Sequence, residues 1–306
     1  MLNIKMISLK QLRYALTVEE TLHFKKAAEQ CNISPSALST ALHELEQRLG
    51  LQIFERDNKK VLITPIGKRV LLQARSIMLQ AEDLQNFAQT QKSLFSYPLN
   101  IGVIPTITPY ILPKLLLLIK QHYPLAQINI LENQSHILVE KVKQGELDTA
   151  LLALPFPCEG LLEMPFWDED FFLVNRKNES NAQLTEITSD KLNLNQLLLL
   201  EDGHCLKDHI LNTCHVSSKS VNQSFRTNSL NTLLQLVSNN MGTTLVPEMA
   251  IDQLKSHYPD LAIMHLDEPG PHRQLAFVMR PNFTRLSSIE KLIDMSKSVL
   301  DRHHSK

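Results

Sequence analysis

Hydrophobic positions at the start of the chain repeat with a helical period. Leu9, Leu12 and Leu16 mark one amphipathic helix, and Phe24, Ala27, Ala28 and Cys31 fall at i, i+3, i+4 and i+7 on a second, so Cys31 faces a core. After a short turn at Asn32 and Ile33, Ser34 is placed to cap a third helix whose first turn holds Pro35, where proline is favoured. Leu38, Leu42, Leu45 and Leu49 form its buried stripe and Gly50 stops it. The run from Leu51 to Ile63 then reads as a β-hairpin with Asp57, Asn58, Lys59 and Lys60 at a polar, mostly basic tip. This order predicts a winged helix-turn-helix over 1–64. Its third helix presents Ser36, Ser39, Thr40 and His43 away from the leucines, toward a DNA major groove.

Thr64 followed by Pro65 is a second start signal, opening a helix that meets no breaker until about Lys92. Val70, Ile77 and Leu84 fall seven apart, as do Ala74, Ala81 and Ala88, which together make an a/d seam. A segment of 65–94 with no second helix of its own to cover that seam predicts a linker and dimerisation helix.

Beyond Tyr97 the pattern changes to short apolar strands alternating with helices. Leu99 to Ile104, Gln127 to Leu131 and Thr149 to Leu154 read as strands around helices at Pro109 to Gln121 and Ser135 to Gln144. The pattern restarts with strands at Phe171 to Val174 and Leu197 to Leu200, a helix at Ser229 to Asn239, and strands at Thr243 to Val246 and Leu275 to Met279 before a terminal helix. Parallel α/β sheets in two subdomains with a cleft between them are expected over 95–306.

A chain of 306 residues suits two or three domains. No apolar stretch approaches the roughly twenty residues of a membrane helix, and MLNIKMISLKQL lacks the features of a signal peptide, so the expected compartment is the cytoplasm and no membrane partner is expected. The formal net charge of -1 conceals an asymmetry. Up to Thr90 there are 12 Lys and Arg against 9 Asp and Glu, leaving 19 against 23 beyond it, so only the first segment suits a polyanion. Four cysteines, Cys31, Cys158, Cys205 and Cys214, in a reducing compartment point to metal binding or redox chemistry rather than to a disulfide framework.

Asp202 reads as the N-cap of a helix carrying Leu206, Ile210 and Leu211, which sets Cys205 in the first turn, where a helix N-terminus depresses a thiol pKa. His204 and Lys207 add positive potential there and Asp208 opposes it. In a continuous helix Cys214 would stand roughly 13 Å from Cys205, beyond the ~7 Å Cα limit for a disulfide. His204, Cys205, His209, Cys214 and His215 fall within twelve positions, so a zinc site competes for the same residues. Thr106 and Ser135 each follow a strand and precede a helix, and read equally as N-caps.

Taken together these residues resemble the LysR-type transcription regulators over the whole chain. The N-terminal match runs through Phe24, Ala27, Ala28, Ser34, Ala37, Leu38, Ser39, Leu45, Glu46, Leu49, Gly50, Phe54, Glu55, Arg56, Thr64 and Gly67, with Pro35 where the family commonly has glutamine. In the second part the segment Leu200 to Asp208 with Cys214 after it, and stretches around Gly102 to Pro113, Phe225 to Leu233 and Gly242 to Pro247, are similar to the peroxide-responsive members of that family. The resemblance implies an effector domain of the periplasmic-binding-protein type and a DNA-binding regulator, not an enzyme, with no cofactor and no metal. It implies a redox switch in which Cys205 meets hydrogen peroxide and Cys214 resolves it to a reversible disulfide. Thr106, Ser135, His204, Asp208 and Arg280 would line or support the peroxide pocket, Ser135 replacing the subgroup's usual threonine. Ser34, Ser36, Ser39, Thr40, His43, Lys59 and Lys60 would meet double-stranded promoter DNA. The implied partners are a second copy in a homodimer or homotetramer, RNA polymerase, and a cytosolic dithiol reductant. A LysR regulator that answers to a small metabolite, and a thiol peroxidase that turns over, remain the competing functions.

Overall fold

The computed structural model describes residues 7–57, 60–90, 94–95, 97–178, 183–217, 225 and 227–304. The chain divides into two compact units, Met1–Gln91 and Lys92–Lys306. Among the described residues no helix is long and apolar enough to cross a membrane.

In the first unit, α1 (Leu9–Thr21) begins with a capping box in which the Ser8 hydroxyl accepts from Gln11 N and the Gln11 side chain accepts from Ser8 N. Helices α2 (Phe24–Gln30) and α3 (Pro35–Leu49) follow. The Ser34 hydroxyl accepts from Ala37 N, and Gly50 ends α3 at φ 69°, in the left-handed region that glycine enters without a steric penalty. Strands β1 (Phe54–Asp57) and β2 (Lys60–Ile63) pair antiparallel, Phe54 opposite Ile63, as the wing. Leu38, Leu42 and Leu45 are buried against Leu12, Ala15, Val18, Ala27 and Ala28.

The long helix α4 (Pro65–Thr90) starts where the Thr64 hydroxyl accepts from Gly67 N at 2.8 Å and donates to Gln52 O at 2.7 Å. Part of this helix does have a partner within its own unit, because α1 packs along it, burying Leu71 and Ala74 and pairing Glu19 with Arg75 at 2.8 Å. Farther along, Ile77 and Leu84 are 38% and 70% exposed, so the seam lies open only beyond the part that α1 covers.

In the second unit, β3 (Leu99–Val103), β4 (Ile128–Glu132) and β5 (Thr149–Leu154) are parallel, connected through α5 (Thr108–His122) and α6 (Ser135–Gln144). The sheet is completed by β11 (Arg273–Met279), antiparallel to β5, and by β6 (Leu162–Glu169) at the edge, in the order β4-β3-β5-β11-β6. The sheets are therefore mixed rather than parallel throughout. A second sheet runs β8 (Glu186–Ile187), β10 (Leu261–Leu266), β7 (Phe171–Arg176) and β9 (Thr244–Pro247). Helices α7 (Cys205–Thr213), α8 (Leu230–Ser238) and α9 (Ile251–His257) belong to this half, and α10 (Leu286–His304) returns to pack on α5.

The expected strand at Leu197 to Leu200 does not form. Only Leu197 makes an isolated bridge, to Thr243, and the four leucines are apolar because they are buried in the core. Strand β6, absent from the sequence pattern, carries Pro165 on a sheet edge beside a register shift, where a missing N–H costs no ladder bond. The chain passes between the sheets twice, from β6 into β7 at Asp170 and from β10 into β11 through Asp267 to His272. These two crossings set Glu169 and Arg273 at the junction of the subdomains.

Candidate functional site

In α3 the exposed residues Ser36, Thr40, His43 and Gln47 recur at i, i+4, i+7 and i+11, opposite the buried leucines. Ser34 is exposed beside Ser36, their hydroxyls 3.0 Å apart, while Ser39 is half-buried. Gln47 was not anticipated; it lies 3.0 Å from His43 across one turn, between Nε2 atoms. Lys59 lies outside the described residues, and of Lys60 only the backbone, in β2, is described.

The second candidate site is built at the start of α7. The N-cap is His204, with no side-chain cap bond, rather than Asp202, whose carboxylate instead takes Lys207 Nζ at 2.7 Å. Cys205 is thus the first helical residue and Cys214 the C-cap, and both are free thiols, 4% and 5% exposed. Nine residues at ~1.5 Å separate them by about 13 Å, with the helix intact between.

Burial, the largest influence on the Cys205 thiol, raises its pKa, against the expectation of a depressed one. The Ser135 hydroxyl, the Arg273 charge and a backbone contact at Ala153 pull it down, and Asp208 pushes it up. Cys214, also buried, is pushed up to about 11, with Glu268 adding to the rise. The Ser135 oxygen is buried and makes no well-aligned hydrogen bond; the thiol is the polar group it faces.

Arg273 has a side chain with no exposure, and its Nε donates to Glu169 Oε2 at 2.7 Å. Its Nη1 donates to the Thr106 hydroxyl at 3.3 Å. The other Glu169 oxygen accepts from Met249 N at 2.6 Å, so the pair ties β6, β11 and the turn after β9 together. Burial raises the Glu169 carboxyl, opposed by Arg273 and by the Met249 N–H. Thr106 and Ser135 are not N-caps: Ile107 and Gln134 hold those positions.

His204 Nε2 meets Asn228 Oδ1 at 2.8 Å, which makes Nε2 the protonated nitrogen. Asp208, exposed one turn on, has its carboxyl raised by partial desolvation, with Lys207 opposing. His209 is buried, its Nε2 2.9 Å from Pro155 O, and burial lowers its pKa to about 4. Among the described residues no group of three or more His, Cys, Asp or Glu converges as a metal site, since α7 holds Cys205 and Cys214 at opposite ends.

Residues 9–68 match the bacterial regulatory helix-turn-helix of the lysR family, and residues 92–301 match the LysR substrate binding domain. The chain belongs to the LysR family of transcriptional regulators. Among similar proteins, the HTH-type transcriptional regulator EstR of Acinetobacter baylyi is 36% identical over 97% of this chain and 98% of its own. The DNA-binding transcriptional dual regulator OxyR of Escherichia coli is 32% identical over 98% of each chain. Full-length OxyR from Pseudomonas aeruginosa, solved with a cysteine-to-aspartate substitution, aligns with a TM-score of 0.78 at 33% identity, covering 96% of each chain.

In this LysR regulator the arginine whose charge acts on the Cys205 thiol is Arg273 and not Arg280. The Nη1 of Arg280 donates to Val142 O and Leu147 O at 2.8 Å each, around the C-terminal end of α6, whereas Ser135 begins that helix. Arg226, in the Phe225 to Leu233 stretch that is similar to the peroxide-responsive members, lies outside the described residues. No local pattern in the sequence marks Arg273 or Glu169. They are 104 positions apart, and no local period links the end of one strand to the start of another.

Proposed function

We propose that this LysR regulator senses hydrogen peroxide through Cys205 and Cys214 and changes its binding to promoter DNA in response. One observation carries the reading: a buried thiol at the first residue of α7 faces the Ser135 hydroxyl and the Arg273 charge, and a second buried thiol ends the same helix. The likeness to regulators named OxyR supports it. The Cys205 thiolate attacks one peroxide oxygen and the O–O bond breaks; sulfenic acid forms on sulfur and the second oxygen leaves as water after taking a proton. Arg273 offsets the burial of the thiolate and of the charge that develops on the leaving oxygen, while Ser135 and Thr106 supply hydroxyls to orient the peroxide. Cys214 then attacks the sulfenic sulfur, expelling a second water and forming the disulfide. Because an intact α7 holds the thiols about 13 Å apart, closure requires the helix to unwind, and the remodelled segment alters contacts between copies and the spacing of the DNA-binding units. A dithiol reductant resets the switch. On DNA, α3 enters the major groove of a long, roughly palindromic site as part of a dimer or tetramer that recruits RNA polymerase.

The test is non-reducing peptide mass spectrometry before and after a brief micromolar peroxide pulse, paired with a footprint. A Cys205–Cys214 linkage and an altered footprint are expected. Cys205→Ser should abolish both, Cys214→Ser should leave a sulfenic acid that dimedone traps, and Cys31→Ser and Cys158→Ser should respond normally. Absence of both the linkage and the altered footprint in the wild type would sink the proposal. It would leave a second reading, a regulator answering to a small organic effector, which is favoured by a cleft of about 530 Å³ lined by Thr106, Tyr110, Asn228, Asn231 and Tyr258.

A further inference from the structure

Three hydrogen-bonding side chains converge where the two subdomains meet beside Cys205. Asn228 Oδ1 accepts from His204 Nε2 at 2.8 Å and from Gln134 Nε2 at 3.4 Å, so one oxygen joins the N-cap residues of α6 and α7. The residues immediately behind them, Ser135 and Cys205, are 1% and 4% exposed. Asn228 itself is exposed and lines the cleft that also reaches Thr106, whose hydroxyl accepts from the Arg273 guanidinium, the charge that acts on the thiol. Gln134 also lies directly over the backbone at Gly203. A Cβ at position 203, where φ is +96°, would come within 2.5 Å of the Gln134 side-chain oxygen.

We propose that Gln134 and Asn228 form a polar latch across the approach to Cys205. Closed, the latch holds His204 in one tautomer and excludes small reagents; opened, it admits them from the cleft. Both residues act through others and are positioning residues, and the inference rests on the peroxide reading only for the identity of the natural reagent. The latch is weak by construction. Its longer bond, at 3.4 Å, is near the limit of a hydrogen bond, and both its donors share one acceptor oxygen. Access therefore depends on a local opening rather than on unfolding of the unit.

The test uses the full-length reduced protein and iodoacetamide, with carbamidomethylation followed peptide by peptide. Losing one net hydrogen bond from the closed state should raise Cys205 alkylation about fivefold in Gln134→Ala, and Asn228→Ala, which removes the acceptor of both bonds, should raise it by at least as much. The buried Cys158 serves as an internal control, and its rate should not change. Asn228→Asp keeps the accepting oxygen and should return Cys205 to the wild-type rate or below. An unchanged Cys205 rate in both alanine variants overturns the latch, and so does a parallel rise at Cys158, which would report global loosening. Peroxide in place of iodoacetamide separates the two claims. Faster alkylation in a protein that peroxide never oxidises leaves the latch standing and removes the peroxide reading, whereas peroxide oxidation at one rate in all variants, with alkylation unchanged, does the reverse.

Discussion

Glu169→Gln isolates what the buried ion pair at the subdomain junction contributes. Neither side chain of the pair has any exposure, and Glu169 Oε2 lies 2.7 Å from Arg273 Nη2 as well as accepting from Nε. Glutamine keeps the shape and an acceptor but removes the charge, leaving the guanidinium buried with the neutral Thr106 hydroxyl as its other bonded side chain. Stripping one partner from a buried pair costs about 3–5 kcal/mol. In a unit of this size, at roughly 2–4 °C per kcal/mol, the second unit's Tm should fall by about 10 °C in calorimetry. The same change leaves the Arg273 charge that acts on Cys205 unopposed, so the alkylation pH profile of that thiol should move to lower pH. A Tm within 2 °C of wild type with an unmoved thiol profile would refute the reasoning. It would mean that Glu169 is protonated in the fold and that the pair carries no compensating charge.

Other predictions concern separate parts of the molecule. His209 titrates at about 4 when folded against an ordinary 6.5, so its stabilising contribution is complete above pH 6.5 and is lost as pH falls toward 4. At about 1.4 kcal/mol per unit, moving from pH 6.5 to 5 should cost about 2 kcal/mol in urea denaturation, and His209→Gln should flatten that slope; parallel slopes would count against it. Gly67→Ala should destabilise the first unit by about 1–3 kcal/mol, because the new Cβ would stand 2.3 Å from the Ile53 carbonyl oxygen, a backbone atom with little room to retreat. An unshifted thermal transition for that unit would contradict this. Leu84→Glu places a charge on the exposed run of α4 and should dissociate the dimer proposed to form through that helix without lowering monomer stability; sedimentation of an unchanged dimer would place the interface elsewhere.

Local signals decided much of this protein. Ser8, Ser34, Thr64 and Gly50 act on the backbone within a turn of themselves, so the first unit's helices begin and end where those residues put them, and the leucine stripe of α3 needs only a 3.6-residue period to be seen. Cys205 and Cys214 were marked as a pair by the likeness of their segment to the peroxide-responsive LysR regulators, not by spacing, since one intact helix holds them about 13 Å apart. What lay out of reach depends on contacts between distant segments. No local pattern reveals that α1 would cover the first turns of α4, or that Leu197 to Leu200 would be buried without pairing. The raised Cys205 thiol follows from burial outweighing every nearby charge, and burial is a property of the assembled junction. Arg273, Glu169 and the Gln134–Asn228–His204 cluster likewise come together only once two sheets have packed across two chain crossings. Long-range packing chose which arginine acts on the thiol, and sequence spacing carried no record of it.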